Sequence, residues 1–416
     1  MKNNKFLIGL LVGLASGLFI ISFILMIVGI TGYTSFKLIT PKVTVNEVQE
    51  SDDSNAASQS EIDNKIKVLE KYIDQYFLEK VDKKAYADGI YKGLFKSLED
   101  PYSTYYTAEE YAALQEATSG TYCGIGATVS QDSETGIITI VKPFVDGPAY
   151  KAGILPGDIL YKVAGEEVTG EDISEVVTKM KGEKGTKVEI QVVRDKEVNP
   201  IKFKIKRDNI EVPTIAYEML DNKIGYIAIS EFDEVTSEQF RKAVNDLEEQ
   251  GEKALVIDLR NNGGGRLEAV VDMLDRMLPK GMIVSTKDKN GKGDEYKSSD
   301  KEQFNKPLAV LINGNSASAS EIFAGAIQDY KLGTLVGTTS FGKGIVQSII
   351  PLSDGTAIKL TTSKYYTPKG RNIHGTGIEP DVKIELDEAQ KQKVVIEHKD
   401  DNQLQKAIEV VKKKTK

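Results

Sequence analysis

Residues 6–30 read FLIGLLVGLASGLFIISFILMIVGI, an apolar run without a charge. It is long enough to cross a bilayer core as a helix, which takes about 20 residues. Lys2 and Lys5 precede it, so the positive-inside rule keeps the short amino end in the cytoplasm and sends everything after residue 30 out. A cleaved signal peptide is the competing reading. Such peptides carry apolar regions of roughly 7 to 15 residues and a small-residue cleavage site, and no A-x-A-like site follows residue 30. The pattern therefore predicts a cytoplasmic stub and retained transmembrane anchor over 1–30. The rest of the chain is expected to lie extracytoplasmic at the cell membrane.

Residues 31–60 turn polar, ending in SDDSNAASQS, with no usable apolar period, and read as a tether. From 61 to 118 the pattern is helical. Ile62, Ile66, Leu69, Ile73 and Tyr76 recur at steps of four and three, one apolar stripe expected to pack on its own domain, with a dimer contact as the alternative. A second helical stretch covers about 85–98. Thr107 with Glu110 three residues later marks a capping box that opens a third.

Residues 119–208 change to β character. GIGATVS, GIITIVKPF and KVEIQVVRD are rich in β-branched residues, and Val188, Ile190 and Val192 alternate. ISEVVTKM between them offers a short amphipathic helix. After Arg207, strands and helices alternate: IGYIAIS, ALVIDLR and PLAVLINGN are buried-strand runs, and the segments at 237–249, GGRLEAVVDMLDRML and ASEIFAGAIQDY have helical spacing. Such alternation over 209–387 predicts a mixed, largely parallel sheet covered on its faces, with the chemistry in loops at the strands' carboxyl ends. DLRNNGGG and NGNSASAS both fall there. The carboxyl-terminal segment, 388–416, places Leu404, Ala407, Ile408 and Val411 on one helical face before KKKTK, the kind of face that serves subunit contacts. The fold class is α/β and multi-domain.

Composition narrows the function. The net charge of −8 and the lack of a basic, aromatic-interleaved stripe argue against nucleic acid as a partner. Cys123 is alone, so there is no internal disulfide, and its flanks match no metal-ligand spacing. The two histidines are poor bases: His398 lies in a charged terminal segment, and His374, in RNIHGTG, has no carboxylate beside it. His374 reads as a packing or surface residue.

NGNSASASEIFAGAIQ carries Ser316, Ser318 and Ser320 where a buried strand becomes a helix. One serine suffices for an N-cap. Three, spaced by alanines, suggest an exposed nucleophile beside the amides of a helix start. A serine nucleophile needs a base. Lysine remains once imidazole is set aside, but its amine has a reference pKa of about 10.4 and acts as a base only where burial disfavours the charge. Lys343 in TTSFGKGIVQ, between glycines and followed by apolar residues, is the candidate.

GPAYKAGILPGDILYKVAGEEV, together with the strands around it, resembles a PDZ domain of the bacterial circularly permuted kind. The resemblance implies that the amides of Gly124, Ile125 and Gly126 cradle a peptide carboxylate while the ligand adds to a strand edge. NSASASEIFAGAIQD, FGKGIVQ, DLRNNGGG and KYYTPKGRNIHGTGIEPD closely resemble the carboxyl-terminal processing proteases, the tail-specific serine peptidases, over roughly residues 67–386. In that family the serine precedes the lysine by twenty-five positions and a glutamine follows the lysine by four, which selects Ser318, Lys343 and Gln347 here. The resemblance implies that Ser318 attacks a peptide carbonyl, neutral Lys343 takes its proton and Gln347 orients the lysine. It further implies an oxyanion hole from the amide of Ala319 and one from the glycine run, Gly264 first, with Gly263 or Gly265 open. It calls for no cofactor or metal, makes a homodimer an expectation and gives the loop around His374 a supporting role. Arg371 is assigned none.

Two other classes compete with a membrane-anchored endopeptidase that recognises the carboxyl-terminal tails of extracytoplasmic proteins. A noncatalytic tail-binding scaffold has no need of Ser318, Lys343 and Gln347 together. A Ser-Lys hydrolase of another kind does not typically join a PDZ-like module to this spacing.

Overall fold

The computed structural model describes residues 36–38, 57–299, 301–393 and 396–414. The expected anchor at 6–30 and most of the tether lie outside these residues. No helix among the described residues is long and apolar enough to cross a membrane.

The described residues divide into two compact units, the smaller running to residue 111 and taking in 349–360, the larger comprising most of 112–348 and 361–414. In the smaller unit, helix Gln59–Tyr76 carries the predicted stripe, and helix Lys83–Lys96 follows. Among the described residues the stripe is only partly covered: Gln59–Tyr76 buries no residue, Ile66 and Ile73 are half-buried, and Leu69 and Tyr76 are 50% and 69% exposed. Periodicity specifies a face, and only the surrounding structure supplies something for it to meet. The Thr107 box forms as predicted, with Glu110 N–H donating to Thr107 Oγ1 and Thr107 N–H to the Glu110 carboxylate.

In the larger unit the β region is an antiparallel sheet with strands in the order Ala127–Gln131, Ile138–Pro143, Ile159–Val163, Lys187–Val193 and Ile201–Lys206. Val188, Ile190 and Val192 point inward, as a period of two requires, and meet Val176 and Met180 of helix Ile173–Met180. Ala127–Gln131 is the outermost strand on its side. A short ribbon pairs Thr121–Gly124 with Asp208–Glu211 where this module joins the rest.

The central sheet runs Ile215–Leu220, Ile224–Ile229, Ala254–Asp258, Leu308–Ile312, Thr334–Gly337 and Val382–Lys383, parallel after the first pair. All five residues of Ala254–Asp258 and of Leu308–Ile312 are buried, because both faces are covered. Leu255, Ile257, Leu308 and Val310 face helices Thr236–Glu249, Leu267–Asp275 and Ala319–Tyr330, through Phe240, Leu274 and Phe323 among others. Val256, Ala309 and Leu311 face the opposite way, onto Leu404, Ala407 and Val411 of helix Asn402–Lys414. The terminal helix thus spends its apolar face on its own sheet, and that face is not available to a partner. Arg260 fastens the same segment, pairing with both Asp258 and Asp401 at 2.6 and 2.7 Å.

Candidate active site

Three adjacent parallel strands, Ala254–Asp258, Leu308–Ile312 and Thr334–Gly337, end side by side. The loops leaving their carboxyl ends carry the glycine run, the serines and Lys343, so residues far apart in sequence converge by strand order alone. Backbone bonds lock the loops together: Ala317 N–H donates to Asn262 O, and Phe341 N–H to Ser316 O, each at 3.0 Å.

The serines separate by their partners. Ser316 Oγ donates to Leu259 O at 2.7 Å, and Ser320 Oγ donates to Asn262 O at 2.9 Å, so both tie the serine loop to the glycine loop. Ser318, between them, opens helix Ala319–Tyr330 with φ 56° and ψ −113°, a backbone conformation rarely adopted by a residue with a Cβ. The expectation of an exposed hydroxyl is corrected: Ser318 is 0% exposed, and Lys343 is 3% exposed. Gly264, at φ +105°, lies so close that a Cβ there would come within 2.8 Å of Ser318 Cβ and 2.9 Å of Ala319 N.

Glu321, fully buried, unites the site. Its Oε2 accepts from the backbone N–H of Ser318 at 3.0 Å and of Lys343 at 2.8 Å. Its Oε1 accepts from Gly342 N–H at 2.7 Å and from Ser340 Oγ at 2.5 Å. Burial pushes this carboxyl above its ordinary pKa, while the four donors pull the other way. Tyr365, also buried, donates to Ser318 O at 3.2 Å. Neither residue was among those expected from the sequence. Glu321 stands three residues after Ser318, the capping-box spacing, so a signal was there to be read; for Tyr365 there was none.

The remaining residues differ in how far they meet expectation. Gln347 is buried and its Nε2 donates to Thr361 Oγ1 at 3.1 Å, whereas its Oε1 accepts no hydrogen bond. It therefore does not hold the lysine amine in this state. Gly264 N–H donates to Asn262 Oδ1 at 2.8 Å, so the first oxyanion candidate is already engaged. Ala319 is the first residue of its helix, where backbone N–H groups have no intrahelical acceptor. His374 is exposed, and its neighbours support the lysine loop: Asn372 Nδ2 donates to Gly344 O and Gly375 N–H to Gly342 O. Arg371, left without a role, pairs with buried Asp329. Gly124, Ile125 and Gly126 stand apart, in the β module.

Behind the glycine run, Phe232 N–H donates to Gly264 O at 3.0 Å. Burial raises the carboxyls flanking it, Glu231 and Asp233, above the usual carboxylate range, the charge of Asp233 adding to the rise at Glu231 and that of Arg266 opposing it at Asp233.

An α/β core with its loops gathered at three strand ends, preceded by an antiparallel module, is here that of a serine-type peptidase with a PDZ domain. The family model for peptidase family S41 matches residues 223–384, that of a PDZ domain residues 141–194, and that of the N-terminal domain of the activating protease CtpB residues 25–110. The chain is 40% identical over 334 residues to the carboxy-terminal processing protease CtpA of Bacillus subtilis (strain 168), covering 80% of this chain and 71% of that one. It is 37% identical over 380 residues to a probable CtpA-like serine protease of Staphylococcus epidermidis, covering 91% and 76%. Among solved structures, the photosystem II D1 C-terminal processing protease is 29% identical, with a TM-score of 0.45, over 77% of this chain and 86% of that one. The chain belongs to the carboxy-terminal processing proteases of peptidase family S41.

Proposed function

We propose that the chain is a membrane-anchored serine endopeptidase in which Ser318 and Lys343 form the catalytic dyad and the PDZ domain captures carboxyl-terminal tails. The observation that carries the dyad is the Glu321 carboxylate, one oxygen of which accepts from the backbone of both residues. Ser318 Oγ attacks the peptide carbonyl as its proton passes to the neutral Lys343 amine, which then delivers it to the leaving nitrogen. Ala319 N–H, at a helix start, faces the developing oxyanion; Gly264 joins it once its amide leaves Asn262, or Gly263 or Gly265 takes its place. Gln347 Oε1, buried and unsatisfied, is the acceptor that receives the lysine when substrate enters. Because Ser318 is fully covered, the loops must part for a peptide to reach it.

For capture, the edge of Ala127–Gln131 pairs with the tail backbone, and the amides of the Gly124–Ile125–Gly126 loop receive its carboxylate. Amidating the carboxyl terminus of a peptide substrate is expected to weaken its capture at least about tenfold, a charge-assisted bond being roughly twice as strong as a neutral one. Equal cleavage of free-acid and amidated versions would remove the PDZ domain from substrate selection. The anchor rests on residues 6–30. In cell fractionation the full chain is expected with the membranes and a version lacking residues 1–30 in the soluble fraction; a soluble full chain would refute the anchor.

A further inference from the structure

The residues on either side of Arg260 grip the loop that carries Ser318. Leu259 O and Asn262 O receive Ser316 Oγ and Ser320 Oγ, and Asn261 N–H donates to Asn313 Oδ1 at 3.0 Å. Asn262 also holds Gly264 N–H and ties itself to Ile229 O through Nδ2, each at 2.8 Å. The Arg260 side chain goes instead to the carboxyl-terminal segment. Its Nε and Nη2 donate to Asp258 at 3.0 and 2.6 Å, its Nη2 and Nη1 to the two oxygens of Asp401 at 2.7 and 3.1 Å, and Nη1 also to Gln403 Oε1 at 3.0 Å. Every N–H of the guanidinium fork therefore has an acceptor, and the pairing is buried, with the Asp401 side chain 6% exposed. Asp401 is fixed in turn: its Oδ1 accepts from Leu404 N–H at 3.0 Å at the start of helix Asn402–Lys414, and Leu404 is packed against the central sheet.

We propose that Asp401 is a positioning residue for peptide cleavage: by holding Arg260 it sets the place of the glycine run against Ser318. This rests on the reading of that run as the oxyanion loop. A guanidinium cannot shed its charge, so a buried one stays where its carboxylates are. Asp258 balances the charge but gives no outside reference, because it lies two residues from Arg260 and moves with the same segment. Asp401, 141 residues further on, is the charged partner that ties the loop to another part of the fold. A bidentate pair fixes direction as well as distance, which the rotatable hydroxyls of Ser316 and Ser320 do not. Direction matters here, since a reacting group misplaced by about 1 Å costs about a hundredfold in rate. The carboxyl-terminal helix, its apolar face spent on the sheet, thus acts on the reaction without touching substrate.

The test uses the full chain with Asp401→Ala and, in parallel, Leu404→Ala, which weakens packing of the same helix but leaves Arg260 its acceptors. Each is assayed well below its melting temperature with a peptide substrate and with the matching peptide aldehyde. Ser318 Oγ adds to the aldehyde carbon, its proton passes to Lys343, and the carbonyl π pair becomes the oxyanion. For Asp401→Ala, kcat is expected to fall about ten- to hundredfold with KM within about twofold of the parent, the signature of a misplaced group that acts only on the transition state. Affinity for the aldehyde is expected to fall by a similar factor, while Leu404→Ala keeps the parental kcat. A parental kcat in Asp401→Ala, or a rise in KM alone, would overturn the assignment. So would an equal loss of kcat in Leu404→Ala, since a loosened helix would then suffice. An aldehyde that binds Ser318→Ala as tightly as the parent would instead sink the reading of Ser318 as nucleophile. Should Asp401→Ala not fold, Asp401→Asn keeps the shape and one acceptor; it is expected to lose about three- to tenfold in kcat with the same unchanged KM, and an undiminished kcat there would overturn the proposal.

Discussion

Lys343→Arg is expected to be as inactive as Lys343→Ala, with cleavage of an unfolded protein falling at least about a thousandfold, the scale at which nucleophile or base removal acts in hydrolases with comparable machinery. Arginine keeps the positive charge and most of the length, so a lysine that serves only as a cation tolerates the change. One that must accept a proton does not, because guanidinium is never deprotonated in a protein. Ser318→Ala should lose activity to a similar degree. The backbone of position 343 is fixed independently of its side chain by the Lys343 N–H bond to Glu321, so the loop has a reason to survive the substitution. Thermal melting would establish that it does. His374→Ala supplies the contrast: an exposed imidazole outside the serine and lysine loops is expected to leave most of the activity in place. A folded Lys343→Arg protein that cleaves nearly as well as the parent, or a folded but inactive His374→Ala protein, would refute the dyad.

Glu321→Gln is expected to lower both stability and activity sharply, although it changes no atom that touches substrate. The carboxylate accepts four hydrogen bonds, from Ser318 N, Lys343 N, Gly342 N and Ser340 Oγ. A carboxylate is the one side chain of this size with acceptor sites enough for all four. Glutamine turns one oxygen into a donor and sets it against two of them in a fully buried site. With an unsatisfied buried donor at about 1–3 kcal/mol, the loss should reach about 3–5 kcal/mol of folding stability, read as a shifted denaturation midpoint at unchanged slope. Activity should fall further than Ser340→Ala makes it fall, since that change removes one donor and leaves the clamp on positions 318 and 343. Parental stability and turnover in Glu321→Gln would show that the strained turn at Ser318 is held by something else.

The β alternation of Lys187–Val193, the buried runs at Ala254–Asp258 and Leu308–Ile312 and the Thr107 capping box were all legible in the sequence, because each is a local regularity whose period or spacing survives in one dimension. The serine and lysine loops were legible too, through composition and spacing that match the family. Two local patterns misled. The stripe on Gln59–Tyr76 predicted a packed face and buries none of its residues among the described ones, while the stripe on Asn402–Lys414 suggested a partner and is buried in the chain's own sheet. An amphipathic period reports that one face is apolar; it carries no information about what that face meets.

The sequence by itself determined the chemistry on offer: a serine at a strand-to-helix junction, a lysine between glycines, a run of glycines and a β module with a glycine loop. The tertiary structure alone decided how those parts are committed. Strand order brings three loops together, and the bonds among them show why three serines are present, since Ser316 and Ser320 are spent on the carbonyls of Leu259 and Asn262. It buries Ser318, engages Gly264 N–H with Asn262 and leaves Gln347 Oε1 without a partner. Hydrogen-bond partners separated by tens of residues depend on the path of the whole chain, and a linear pattern encodes the donors and acceptors without encoding which of them meet.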